Sequence, residues 1–585
     1  MEKPFVIESA DFRGGYMDDV DNVAVDQLSS PSKNCRITLG GEVYSRFGTE
    51  ETEIDLAEAN KVFTSYHMPQ YNITFVSGNG KVKYIDHSRD DEVIDTGLSL
   101  TATETTRFGE YAGDIFTINK TDGLRHIHVM RLNDAAPNSG DTTIVVDQNG
   151  AARLSAFSNT SGNLRIRGTN EAYNAVNTNG TITLTGTLST TYTDNDIAIV
   201  VKDISSGRPK GTMLTFWKER MIIIGSINDT NTDNTSQIVY MSQFASARDL
   251  QKIIVFGITG GASEEWVGKA GILRNVVTTR DYVYYFKEDE TYFSSVSSVD
   301  PTTGATSPQL LSNNYGCINE DCAVDIGSGR IVFLTKNKRI ISIDISTDSG
   351  AAQVFPNEAF DQSVRRTLEL IDGQQPYARM VYHKGRRILY CQVSVQGELI
   401  TLVYDNNIKK WLPPDYGRQF NSFFERDGIL FGTDLYDDTI YELDKGLTDG
   451  EQSIECVMAH GLMRYKNSRT TCEWQDVELS GSLGQNAMLS VETIVNNGTS
   501  TLKQVLSSTL SYANARSLTD IAIGDLLIGG INSSIILADW DRKFRIAPTA
   551  YGNIYQTILS STSPFTLKSY KIAAKALTNS LLTTS

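Results

Sequence analysis

The chain is poor in the residues from which metal sites and activated nucleophiles are built. Six histidines and six cysteines are spread over 585 residues. No two cysteines form a CxxC pair, and the nearest, Cys317 and Cys322, have no second His or Cys pair nearby. That spacing excludes a zinc ribbon and predicts free, buried thiols made in a reducing cytoplasm. No run of 18 apolar residues exists, so no membrane-spanning helix is expected. Met1 to Glu8 lacks a basic stretch leading into an apolar one, so no secretory signal is expected either. GxSxG, HExxH and GxxxxGK[ST] are all absent, which removes the best-marked hydrolase and nucleotide-binding signatures. Positive charge is also short. Lys and Arg number 53 against 70 Asp and Glu, a formal net charge of −17. A general nucleic-acid binder needs a basic face that releases counterions, so that class is excluded. An acidic surface past which DNA slides without sticking stays open, since it would repel phosphate within about 8 Å.

What the chain does have is a strand-turn-strand unit that returns about seven times between residues 62 and 450. Phe216 to Gly225 is one copy, with Lys218-Glu219 at its turn; Tyr382 to Cys391 and Phe424 to Gly432 are others. Each joins two apolar strands through a tight polar turn. A spacing of roughly 40 to 60 residues is the blade period of a β-propeller. The first two blades are read at 71–85 and 114–129. The others follow at 212–255, 271–298, 319–346, 377–414 and 420–446.

The expected fold class is therefore all-β: a β-propeller of about seven blades, an inserted small β module and a C-terminal β-sandwich-like domain. Residues 1–60 form an N-terminal segment packing on or closing the propeller. Residues 61–132 hold the first blades. Residues 133–205, rich in Asn, Thr, Ser and Gly, break the rhythm and read as a small all-β module inserted between blades. Residues 206–450 complete the propeller, and 451–585 form the C-terminal β-rich domain.

Several residues are candidates for chemistry. His126 and His128, two apart on a strand, share a face as two metal ligands would. With no third ligand near in sequence, they read as a strand-surface pair. Asp18-Asp19-Val20-Asp21-Asn22 lacks the Gly and Glu of a calcium loop and reads as a solvated turn. Ser346 to Gly350 matches the start of an Asp-box turn but lacks its Trp, with Gln353 in that place. Trp217, Tyr282, Tyr284, Tyr285, Phe286 and Phe333 lie on apolar strands and read as packing between blades, not as a sugar platform. No catalytic, cofactor-binding or metal-ligating residue is assigned.

Four stretches nevertheless resemble a known group, the β-propeller tail proteins of tailed bacteriophages, including the nozzle or tubular tail protein of short-tailed phages. They are Asp11 to Gly15 with Asn34 to Gly41 and Arg46 to Thr49; Phe216 to Gly225 with Val239 to Ser242; Val283 to Tyr292 with Tyr315 to Ile318; and Lys543 to Ile546 with Ser569 to Ile572. The resemblance implies a non-enzymatic virion component made in the host cytoplasm. It implies a homo-oligomeric ring, a hexamer in that family, that lines or closes the DNA channel without sequence-specific binding and docks adaptor and fibres. A carbohydrate-binding or glycan-cleaving propeller is the alternative. An extracellular adhesin is the third reading.

Overall fold

The computed structural model describes the chain except for residues 1–4, 19–25, 57–61, 134–136, 158–160, 226–237, 247–248, 257–261, 269–270, 296–306, 347–352, 462, 465–471, 485–487, 497–500, 510–536, 546–550, 553 and 577–585. Seven consecutive antiparallel blades make a β-propeller. Their first strands are Val62–Met68, Arg107–Tyr111, Met213–Trp217, Leu273–Thr278, Ala323–Asp325, Arg379–His383 and Phe420–Arg426. Each first strand packs on the next, and the seventh packs back on the first, so the ring is closed.

Local backbone chemistry explains the hairpins. Ala112-Gly113, Lys218-Glu219 and Asp427-Gly428 join first to second strands, and all six residues have positive φ. Asn79-Gly80 and Gln396-Gly397 do the same between second and third strands. Two residues of positive φ make the turn whose twist matches paired strands. Second strands such as Arg220–Ile224 and Ile331–Leu334 are buried along their whole length, because each blade is covered on both faces by its neighbours.

The seventh blade contributes only three strands from its own stretch of sequence. Its fourth is Thr49–Glu51, antiparallel to Ile440–Leu443 in the register Glu51 to Tyr441 and Thr49 to Leu443. Thr52 N–H then donates to Ile440 O at 2.9 Å, and so does its hydroxyl at the same distance. Residues 1–60 thus supply the strand that completes the seventh blade. The earlier part of that segment packs on the outer strand Lys410–Asp415 of blade six.

It is woven into the C-terminal domain, which is a sandwich of two seven-stranded sheets. In one sheet Phe5–Ser9 and Val43–Ser45 pair with Phe565–Ala576, and Cys35–Ile37 pairs with Val43–Ser45. In the other, Gln27–Lys33 pairs with Cys456–His460. Trp474 of the first sheet stacks on Tyr555 of the second, ring centroids 4.8 Å apart. The C-terminal domain thus does not begin at residue 451; it includes the five strands Phe5–Ser9, Gly15–Met17, Gln27–Lys33, Cys35–Ile37 and Val43–Ser45.

The inserted segment is also corrected. It lies inside the second blade, between Gly123–Arg131 and the fourth strand Ile197–Asp203, which pair directly. Its own strands Gly162–Ile166, Thr169–Val176, Thr181–Leu184 and Thr143–Val145 continue that sheet outward to eight strands. It is not all-β, because it carries the helix Gln148–Ala156, whose N-cap Asp147 accepts from Gly150 N–H. Leu154, Leu164, Ile166, Tyr173 and Ile182 form a core of its own. The outer edge of the second blade is thereby covered, not left as a free edge. No helix among the described residues is long and apolar enough to cross a membrane.

Thr52→Pro removes the donor that ends the closing strand. Loss of about 1–3 kcal/mol is expected, seen as a lower urea midpoint together with new protease cleavage in 420–450. An unchanged midpoint would mean that the closing strand contributes nothing.

Candidate functional site: the sealed hub

A propeller offers its axis as the natural place for a ligand or a passage. Here the axis is crossed by an ion triad. Arg107 opens the first strand of blade two, Asp321 lies two residues before that of blade five, and Arg379 opens that of blade six. The Arg107 guanidinium grips the Asp321 carboxylate with both terminal nitrogens, one pair at 2.9 Å, and Arg379 Nε stands 3.3 Å from its second oxygen. Blades two and five are not neighbours, so the pair spans the hub.

Backbone bonds lock the triad. Asn319 accepts from Asp321 N–H at 2.9 Å and donates to Gln375 O and Ala378 O at 3.1 Å. Met380 N–H donates to Asp321 O at 2.8 Å, and Arg379 Nε to Asn421 O at 3.0 Å. Burial alone would push the Asp321 carboxyl up; Arg107 and then Arg379 outweigh it and hold it below the usual carboxylate value. The remaining hub cavity is about 260 Å³, lined by Thr64, Ser65, Met213, Ser422 and Phe423 among others. That is smaller than the roughly 300 Å³ at which small-molecule sites begin. Its charged groups, Arg107, Asp321 and Arg379, face one another.

The two histidines that share a strand face are not on the surface. His126 and His128 are fully buried, a correction whose cause is the inserted helix packed over that face. Asp114 stands opposite on the neighbouring strand, accepting from His126 Nε2 at 3.0 Å and His128 Nδ1 at 2.8 Å. Its other oxygen accepts from Arg153 Nε of the inserted helix at 2.9 Å and Val129 N–H at 3.3 Å. The three ligand-type atoms converge as a metal site would. The donor set does not fit one. The carboxylate already accepts four hydrogen bonds, which fills its lone-pair sites, and a divalent ion would sit against the Arg153 guanidinium. The cluster is a charge-balanced clamp between blade two and its insertion. Burial pulls His126 down to about 3, so its ring is neutral at pH 7.

Trp217, Tyr284, Tyr285, Phe286 and Phe333 are buried and Tyr282 is half-buried, as core packing requires. Asp18 is buried and accepts from Thr367 N–H at 2.7 Å instead of standing in a solvated turn; Asp19 to Asn22 lie outside the described residues, as do residues 347–350 of the Asp-box-like stretch. A cleft of about 900 Å³ borders the closing strand and holds Glu50, Glu51, Glu442, Asp444 and Glu451. Two of these carboxylates are bridged by Lys445, at 3.0 Å to Glu50 and 2.8 Å to Glu442. The hub triad and the Asp114 partner were both missed in the sequence. Arg107, Asp321 and Arg379 share no local signal. The Asp114 pairing follows from hairpin register, since Ile115 faces Ile127.

No family model matches the chain, and no curated protein sequence is similar to it. Among solved structures it is similar to the β-propeller domain of Cps50 (Swd1) from Myceliophteria thermophila, at 6% identity and a TM-score of 0.36, covering 67% of this chain and 98% of that one. It is also similar to the N-terminal domain of Nup159, at 8% identity and 0.32, covering 68% and 94%, and to the computationally designed protein Ika8, at 10% and 0.31, covering 68% and 99%. The propeller assignment rests on the closed ring of seven sheets in this chain.

Asp321→Asn leaves two arginines facing each other and is expected to cost about 3 kcal/mol in urea unfolding. Because the folded Asp321 pKa is lowered, its contribution is present above the unfolded value near 4 and is lost as pH falls below it; the variant should lose that part of the acid sensitivity. The clamp acts at higher pH. Unfolded His126 takes up a proton below about pH 6.5, and the folded ring does so only near pH 3. Stability should fall between those values by up to about 1.4 kcal/mol per pH unit for this group, and His126→Gln should flatten the slope. Zinc or EDTA should leave the midpoint of the wild type unchanged; a zinc-dependent rise would restore the metal reading.

Proposed function

We propose that the chain is a structural subunit of a ring at the end of a bacteriophage tail, a nozzle through which DNA passes and to which adaptor and fibres dock. The observation that carries this reading is the sealed hub. A wheel whose axis is bridged by Arg107, Asp321 and Arg379, with a cavity of about 260 Å³ beside them, suits load transmission more than passage along its own axis. A channel would then have to form between copies, which calls for a cyclic ring with interfaces that close on themselves. The resemblance of Asp11 to Gly15, Phe216 to Gly225 and the other stretches supports the same reading, with a hexamer as the expected ring.

Two surface properties favour it. Leu310 and Phe355, 53% and 43% exposed, lie on the outer strands of blades four and five, which touch. Paired exposed apolar groups on a rim suit contact between copies. The net charge of −17 suits a wall that lets phosphate slide past without binding. The glycan-cleaving alternative would have to use the acidic cleft beside the closing strand.

Electron images of the purified full-length protein, or of virions carrying it, test the proposal. A closed ring, six-fold and with an opening wide enough for a DNA duplex, is the expected result. A monomer at micromolar concentration that releases sugar from host envelope polysaccharide would overturn it in favour of the alternative.

A further inference from the structure

We propose that Cys35 and Cys456, free thiols in this structure, can be oxidised to a disulfide that ties the two sheets of the sandwich together and locks the propeller inside a covalent loop. Their sulfurs are 3.3 Å apart, and both side chains are fully buried. A bond needs about 2.05 Å, so the sulfurs must approach by ~1.2 Å. The two residues come from different sheets. Gln27–Lys33 lies in the second sheet beside Cys456–His460. Asn34, at φ 57, then turns the chain into the first sheet, where Cys35 begins the strand paired with Val43–Ser45. The crossing of the chain from one sheet to the other is what brings the sulfurs together. No other pair among the six cysteines is in sulfur–sulfur hydrogen-bonding contact among the described residues.

The consequence reaches beyond the sandwich. The two positions are 421 apart. The segment between them holds all seven blades and the closing strand Thr49–Glu51. Cross-linking so long a loop removes much of the freedom of the unfolded chain. It also fixes the arm that delivers the closing strand to blade seven. The bond therefore opposes opening of the wheel at its seam.

The chemistry is thiol-disulfide exchange with a small disulfide such as oxidised glutathione. The thiolate of one cysteine attacks a sulfur of that disulfide and expels one glutathione thiolate. The second protein thiolate attacks the sulfur of the mixed disulfide and expels the other. The protein gives up two S–H protons and two electrons, and the oxidant leaves as two glutathione thiols. Burial sets the timing. It raises the Cys35 thiol well above its ordinary value, as does the neighbouring Cys456 sulfur, so exchange is slow in the closed fold. It proceeds while the sheets come together or when the arm opens. Once formed, the bond is shielded from reductants by the same burial.

The test uses the full-length protein purified under reductant, then held in glutathione disulfide with and without sub-denaturing urea. It is next alkylated in denaturant, digested and mapped by mass spectrometry. The expected product is one cross-linked Cys35–Cys456 peptide pair, two hydrogens lighter, with Cys317, Cys322, Cys391 and Cys472 alkylated. It forms faster with urea. The oxidised protein should unfold at least ~2 °C higher than the reduced one, and Cys456→Ser should abolish both cross-link and difference. Six alkylated cysteines after the urea incubation, a persistent glutathione adduct, or a different dominant cross-link would overturn the proposal. The wild-type map alone decides this if the serine variant does not fold.

Discussion

A wheel of seven sheets holds only if its last blade is completed by a strand from the other end of the chain. That strand is Thr49–Glu51, and its delivery depends on how the preceding residues are anchored. Arg36 donates to both oxygens of Asp415 at 2.8 and 2.6 Å, at the end of blade six. Arg46 donates to Asp449 and to Asn34, whose side chain also accepts from Tyr416 N–H. Arg36, Asp415, Arg46, Asp449 and Asn34 are all buried. Buried ion pairs add little net stability over apolar packing, but removing one partner is costly. They fix where the arm crosses from sandwich to propeller, and so fix the register of the seam. Sandwich and propeller are consequently one folding problem. The contacts that finish each come from residues some 400 positions apart, which points to slow, late closure.

The blades themselves are joined by two kinds of interaction with different roles. Apolar side chains such as Ile222, Tyr285 and Phe333 fill the spaces between sheets and supply most of the gain from burial. Around the hub, polar side chains reach backbone groups of the next blade. Thr64 donates to Thr106 O, Asn275 to Glu320 O, and Gln392 exchanges two bonds with the Phe420 backbone. These directional bonds set the angle between blades, which apolar contact alone leaves loose. The Arg107–Asp321–Arg379 triad then ties non-adjacent blades across the axis, turning a ring of hinged sheets into a stiff disc.

Much of the propeller was legible because its signals are local. Apolar alternation and positive-φ turn residues such as Asn79-Gly80 and Asp427-Gly428 mark each hairpin in a few residues. The insertion was misplaced for a physical reason. A break in rhythm looks the same between blades and within one, and Ile197 to Val201 reads as module strand or blade strand alike until its pairing with Gly123–Arg131 is seen. The helix Gln148–Ala156 carried one signal, Asp147 at its cap, in a stretch otherwise rich in turn residues. His126 and His128 were correctly put on one face, but which way that face points depends on a helix that packs from outside the hairpin. The hub triad left no sequence trace, since its members meet only after the three blades between the first and last of their strands have formed.

Native-state hydrogen exchange followed peptide by peptide tests the closure most directly. If the N-terminal strand is the seam of a cooperative wheel, amides of residues 49–52 will exchange with the same opening free energy as those of blades one and seven. Exchange of 49–52 orders of magnitude faster than Ile440–Leu443 would contradict the account, because the wheel would then stand without its closing strand.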